Sequence, residues 1–163
     1  MSEDSRPQHS PVSGVTGYEE ALDFLVESAA TSLRIFDFTL SRGFNSPRRT
    51  EALRRFLLAT RRNTVRIVVH EPAHLDRNCP RLLNLLRIFS HTLVVHETLP
   101  QAKSVYDPFA IADERHFVHR FHFDDLRGLA GHDDPIGAHA LIDRFEEIWE
   151  ASAPAATGTT LGI

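Results

Sequence analysis

The stretch SLRIFDFTLSRGFNSPRRTEALRRFLLATRRNTVRIVVHEP, residues 32–72, changes its hydrophobic period twice. Residues 32–40 are rich in Leu, Ile and Phe over a length that suits a strand better than a helix. Gly43 and Asn45 turn the chain. Ser46 followed by Pro47 then starts a helix, because a serine oxygen caps free amides and proline costs nothing at the first helical position. Leu53, Phe56, Leu57 and Thr60 fall on one face of that helix, which is expected to end near Asn63. The β-branched run 64–72 reads as a buried strand. Strand, helix and strand in this order form the unit from which a parallel sheet with helical faces is built.

The flanks extend the pattern. Upstream, a helix is expected from Thr16, with Glu19 at capping-box spacing and a stripe of Tyr18, Leu22, Leu25 and Ala29. Downstream, Pro80 opens a helical segment with Leu82, Leu83, Leu85, Leu86 and Phe89, and residues 91–97 read as a strand. Two further strands, 105–113 and 116–123, are joined by a tight turn at Asp113–Arg115. A last helix begins at Asp133-Asp134-Pro135, where acids favour the positive end of the helix dipole, and runs through Leu141, Ile142, Phe145, Ile148 and Trp149. The expected fold is one α/β domain over residues 15–151, a mixed, mostly parallel sheet flanked by helices. Residues 1–14 and 152–163 have too little apolar surface to offset the entropy of ordering and read as disordered tails.

Composition narrows the function. The chain has 163 residues, 42% of them hydrophobic, and a net charge of −4, so its surface as a whole attracts neither nucleic acid nor an anionic membrane. Its one cysteine, Cys79, has no internal disulfide partner, and no apolar run is long enough to span a bilayer. The first residues lack the apolar core of a secretory signal, so the expected location is cytoplasmic. Lys103 is the only lysine among 18 basic residues. Chemistry that draws two lysines from one chain is therefore excluded.

The order of elements resembles one repeat of the phospholipase D superfamily, over roughly residues 17–151. The segment also resembles an uncharacterised bacterial family of such domains, found alone or attached to acetyltransferase-like domains. There the phrase around Asp113, the pair His119-Arg120 and the closing Phe145–Trp149 are typical. Working members carry His-x-Lys, four residues, then Asp, followed by Gly-Ser-x-Asn. Histidine attacks phosphorus, a second histidine protonates the leaving group, lysines neutralise phosphate oxygens and the acid orients a histidine.

Laid on this chain, the motif puts its Asp at Asp113, its His at Tyr106 and its Lys at Pro108, with Arg120–Phe123 in place of Gly-Ser-x-Asn. A proline carries no charge, and a phenol with a pKa near 10 is a poor nucleophile at neutral pH. A shifted register fares no better: Gln101-x-Lys103 has glutamine for the nucleophile, and Asp107 stands one residue too close. The resemblance implies the half-fold without its chemistry. Since working sites in that fold form between two halves, it also implies a homodimer, or pairing with a partner protein such as an acetyltransferase-like one.

Some residues remain candidates. Asp37, near the carboxyl end of a strand, Asp113 and His119 could support a phosphodiesterase-like hydrolysis by another route. Arg120 with His119, and Arg48 with Arg55, could bind an anion, since guanidinium pairs with phosphate bidentately. The plainer reading of each is an ion pair within the chain. His70, His96 and Asp107 sit near strand ends and could line a pocket. A metal site from His116 and His122 with Asp124 or Asp125 is geometrically open, but His119 points to the other face, and neither metal nor cofactor is expected. On the second helix Arg48, Arg55 and Arg62 form one stripe, beside Arg54 and Arg61, that could track a nucleic-acid backbone or sit in solvent. The leading expectation is a non-catalytic binding or scaffolding module.

Overall fold

The strand–helix–strand of residues 32–72 forms as read. The computed structural model describes residues 6–41 and 43–155. Strand β2 (Ser32–Asp37) lies parallel to β3 (Thr64–Val69), and helix α2 (Pro47–Ala59) crosses between them. The Ser46 hydroxyl caps α2 by accepting from the Arg49 amide. The helix stops at Ala59 rather than Asn63, and the buried Asn63 side chain donates to the Phe56 carbonyl at its end.

Around this unit come β1 (Gln8–Val12), α1 (Gly14–Ser28), α3 (Ala73–Asn78), α4 (Pro80–Ile88), β4 (Leu93–Thr98), β5 (Phe109–Ala112), β6 (His116–His122), β7 (Asp125–His132), α5 (Pro135–Glu150) and β8 (Ser152–Pro154). The described strands form one sheet in the order β1-β7-β6-β5-β2-β3-β4-β8.

The expectation of a mostly parallel sheet needs correction. Only β2–β3 and β3–β4 are parallel; the other five pairings are antiparallel. The reason is connectivity. Helices bridge only β2 to β3 and β3 to β4, whereas tight turns join β5 to β6 and β6 to β7. The tails are also shorter than expected. Gln8–Val12 pairs with β7, and Ser152–Pro154 pairs with β4, because each covers a sheet edge that would otherwise leave amides and carbonyls open. Gly14 already belongs to a helix, the Ala155 amide still bonds to the Val95 carbonyl, and residues 1–5 and 156–163 of the tails lie outside the described residues.

Helix α1 begins at Gly14, without the capping-box bond expected from Thr16 and Glu19. The helix from Pro80 and the last helix, capped by Asp134 through the Gly137 amide, form as read. Strand β5 is confined to Phe109–Ala112. Besides the two edge strands β1 and β8, the sequence reading lacks α3 and β7.

The sheet separates two apolar layers. Leu22, Leu53, Leu82 and the inward side chains of β2–β4 fill the layer under α1, α2 and α4. Phe36, Phe109, Phe117 and Phe145 fill the layer under α5. Along β6, Val118 belongs to the first layer and Phe117 to the second. No helix among the described residues is long and apolar enough to cross a membrane.

Candidate functional site

One end of the sheet gathers the carboxyl ends of β2 and β3, the segment 103–108 and the end of β6. His70, buried after β3, ties these pieces together. Its Nε2 lies 2.6 Å from the Val105 carbonyl and must donate, so Nδ1 accepts from the Thr98 hydroxyl at 2.7 Å. The Lys103 ammonium donates to the His70 carbonyl at 2.6 Å. Burial lowers the pKa of His70, and the nearby charge of Lys103 pushes the same way, against the hydrogen bond to Val105.

An aromatic cluster covers this end. Phe38 stacks on Phe123 with centroids 4.7 Å apart and meets His70 edge-on at 5.0 Å. Tyr106, at the position of the nucleophile in the phospholipase D motif, packs 5.6 Å from His122 and 5.8 Å from Phe123, and is 46% exposed. Pro108, at the lysine position, offers only its carbonyl, which accepts from the Arg120 amide. The rings of Phe38, Tyr106 and Phe123 carry no positive charge, and the Lys103 ammonium at this end is engaged by the His70 carbonyl.

The candidate residues do not converge. Asp113 and His119 stand at opposite ends of the β5–β6 hairpin, whose register pairs Ala112 with His116 and Phe109 with His119. The Asp113 carboxylate accepts from the amides of Ala30, Thr31 and Ser32 and from the Thr31 hydroxyl at 2.7–3.2 Å. Burial alone would raise its pKa, but these donors hold it below the usual aspartate value. Asp37 is raised by burial; the amides of Phe38 and Leu40, then Arg120 and Arg49, pull the other way without prevailing.

Arg120 is buried on the α1 side of β6, its Nε donating to the Asp125 carbonyl at 2.7 Å, its Nη2 to the Phe123 carbonyl, and its guanidinium over the Tyr18 ring. His119 faces the α5 side, so the pair cannot grip one anion from a single face.

His119 does have a carboxylate partner. Its Nε2 donates to Asp107 at 2.8 Å, and Arg144 of α5 donates to the same carboxylate through both terminal nitrogens. Burial would raise Asp107, but the bonds from Arg144 and His119 hold it well below the carboxylate range. Arg144 lies 37 residues from Asp107, too far along the chain for any local pattern to mark the pair.

The arginines of α2 divide. Arg48 donates to Glu20 and Glu27 of α1 at 2.7–3.2 Å. Arg49 is fully buried, paired with Asp23 at 2.8 Å, and lies over the Phe44 ring. Arg54 and Arg55 are exposed.

The grouping that the sequence left geometrically open, His116 and His122 with Asp124 or Asp125, is not brought together. His122 takes the Asp124 amide on Nδ1, Asp125 is bound by Arg127, and His116 stands at the far end of β6. His116 instead stacks on His132 at 4.3 Å, with Asp133 beside both. The His116 Nδ1 accepts from the Asp133 amide, so a neutral ring carries its hydrogen on Nε2, the nitrogen facing the carboxylate. Holding a metal there would require breaking that bond. His96 stacks on Trp149 at 3.6 Å and bonds Ser152.

Comparison with solved structures agrees with this architecture. The archaeal chromatin protein TrmBL2, whose structure is described as showing a novel mode of DNA binding, superposes with a TM-score of 0.68 at 12% identity; the alignment covers 91% of this chain and 55% of that one, so the chain spans about half its length. Nuc from Salmonella typhimurium, a phospholipase D family member, gives 0.65 at 18% identity and covers 93% of this chain and 100% of that one. NucT from Helicobacter pylori gives 0.63 at 14% identity, with 92% and 100% covered. No curated protein sequence matches the chain. The fold is that of the phospholipase D family, without its His-x-Lys sequence. Residues 16–159 match the family described as "Domain of unknown function (DUF7931)", and the chain belongs to that family.

Proposed function

We propose that this domain is a non-catalytic module that uses the phospholipase D-type half-fold to pair with a second copy of itself. The observation that carries the reading is the aromatic cluster of Phe38, Tyr106 and Phe123, in which Tyr106 holds the nucleophile's place in the superfamily motif, with Pro108 at the lysine's place beside it. Tyr106 and Phe121, 46% and 52% exposed at the same end of the sheet, present ring surface that a partner would cover. Aromatic side chains of this kind anchor interfaces, and each contributes about 2 kcal/mol, or roughly thirtyfold in Kd.

Sedimentation equilibrium of the full chain tests this. The expected result is a reversible dimer that Tyr106→Arg or Phe121→Arg returns to monomer with an unchanged circular dichroism spectrum. A chain that stays monomeric at high micromolar concentration refutes self-pairing.

One observation favours a second reading. The His119 imidazole is oriented by Asp107, itself pinned by Arg144, and such an arrangement suits a phosphodiesterase-like hydrolase built on non-standard residues. This reading predicts turnover of a generic aryl phosphodiester that is lost in His119→Ala. Lack of turnover with and without divalent metals removes it.

A further inference from the structure

The largest charge asymmetry of the molecule lies away from the aromatic end, between α2 and α4. Leaving aside Arg66, which pairs with Glu146 of α5 on the other face of the sheet, positions 47–88 carry Arg48, Arg49, Arg54, Arg55, Arg61, Arg62, Arg77, Arg81 and Arg87 against only Glu51, Glu71 and Asp76, although the whole chain is net −4. Helix α1 supplies counter-charge on one flank alone, through Glu20 and Glu27 to Arg48 and Asp23 to Arg49.

On the other flank an open groove of about 620 Å³ runs between α2 and α4, with Arg48, Arg54, Arg55 and Arg81 in its walls. Arg54 meets Glu51 only at 3.6 Å, across an exposed pair that solvent screens. Arg81 is steadied by neutral groups of Asn45, its amide at 3.0 Å from Oδ1 and its Nη1 at 3.2 Å from the carbonyl, which orient the side chain without cancelling its charge. Arg55 forms no ion pair among the described residues, and its charge reaches Glu27 only at longer range.

Two features of the groove select its occupant. No aromatic ring lines it, so it offers nothing on which a base could stack. Its one large apolar lining residue, Leu85, is 4% exposed, so it also offers none of the apolar anchors on which a protein partner depends. What remains, beside the single carboxylate of Glu51 and the neutral Thr50 and Asn84, is four guanidinium groups, each able to grip two phosphate oxygens at once. Arg48 and Arg55, seven residues apart, share one face of α2 about 10 Å apart along its axis, whereas Arg62 lies in the turn beyond its end. We propose that the groove between α2 and α4 holds the phosphodiester backbone of a nucleic acid and does not read its bases.

The test is fluorescence anisotropy of the full chain with two labelled DNA duplexes of unrelated sequence, over a range of salt concentrations. The expected result is equal binding of both duplexes, with log K falling against log salt at a slope of about −3. The triple variant Arg54→Ser/Arg55→Ser/Arg81→Ser, all exposed positions, should lose roughly tenfold or more in affinity at low salt and flatten the slope. Arg127→Ser, an exposed arginine of β7, should change nothing, and Tyr106→Arg should leave binding intact even where it abolishes pairing. Should the triple variant lose its helical spectrum, Arg55→Glu alone serves in its place. A slope near zero, no binding at low salt, an equal loss in Arg127→Ser, or tighter binding of poly-glutamate than of DNA would each overturn the proposal.

Discussion

The carboxylate of Asp113 accepts from three consecutive amides and a hydroxyl in the connection between α1 and β2, more than 80 residues away in sequence. It also begins the three-residue β5–β6 connection with φ at +57°, followed by Glu114 at +58°, a left-handed pair closed by the Arg115 amide donating to the Ala112 carbonyl. An aspartate tolerates that backbone better than most residues and satisfies the amides as well. Asp113→Ala is expected to cost about 2 kcal/mol in urea unfolding, since it leaves those donors without an acceptor in a strained turn. Asp113→Asn, which keeps one acceptor oxygen and tolerates the left-handed region, should lose less. Equal losses would show that the turn and not the cap dominates. The motif made Asp113 visible in the sequence as an acid at a set spacing; its partners were not, because nothing local marks Ala30–Ser32 as its neighbours.

Among elements, β7 was the hardest to read. DLRGLAGH has two glycines and no β-branched residue, so it looks like a loop. The glycines answer to neighbours across the sheet. A Cβ at Gly128 would lie 2.4 Å from the His119 carbonyl oxygen, and one at Gly131 would lie 2.3 Å from the ring of Phe117. Gly131→Ala should therefore displace the buried Phe117 and destabilise the fold by about 1–3 kcal/mol, read as a lower urea midpoint. The edge strand β1 can be tested by truncation. Removing residues 1–12 uncovers the outer edge of β7 and takes away the His9–Asp134 bond of 2.7 Å, so the shortened chain should aggregate on warming at concentrations where the full chain does not. By contrast the start of α2 was legible to the residue, because Ser46 and Pro47 are local signals, whereas its end at Ala59 came four residues before the expected one.

At the scale of the whole molecule, stability should depend on pH in two steps. His70, His96 and His116 are all held below the usual histidine value, in each case first by burial. As pH falls below about 6.5 the unfolded chain binds protons at these positions and the folded chain does not, so stability declines. Below about pH 4 the lowered carboxyls of Asp107 and Asp113 add a steeper loss, since the unfolded acids protonate first. Asp37, raised by burial, takes up its proton in the folded state at a higher pH than in the unfolded chain, so it offsets part of the decline above about pH 4 and adds nothing to the step below it. The urea midpoint should thus be level near pH 7–8, decline gently toward pH 5 and fall sharply below about pH 4. His96→Phe keeps a ring against Trp149 and removes one titrating group, so its first step should be shallower. A midpoint unchanged between about pH 7 and pH 5 would contradict the assignment of neutral buried histidines.

The sequence by itself determined the central strand–helix–strand, the helix caps at Ser46 and Asp134, the likeness to a phospholipase D half and the missing imidazole and ammonium at Tyr106 and Pro108. These are features of period and residue type, carried by near neighbours in the chain. Only the tertiary structure decided that most strand pairs are antiparallel, that both described tail segments close sheet edges, that His119 meets Asp107 and Arg144 instead of Arg120 or Asp113, and that α1 neutralises one flank of α2 and leaves the other basic. Each of those outcomes depends on which distant residues share a surface, and hydrophobic burial together with strand register sets that across the whole chain at once.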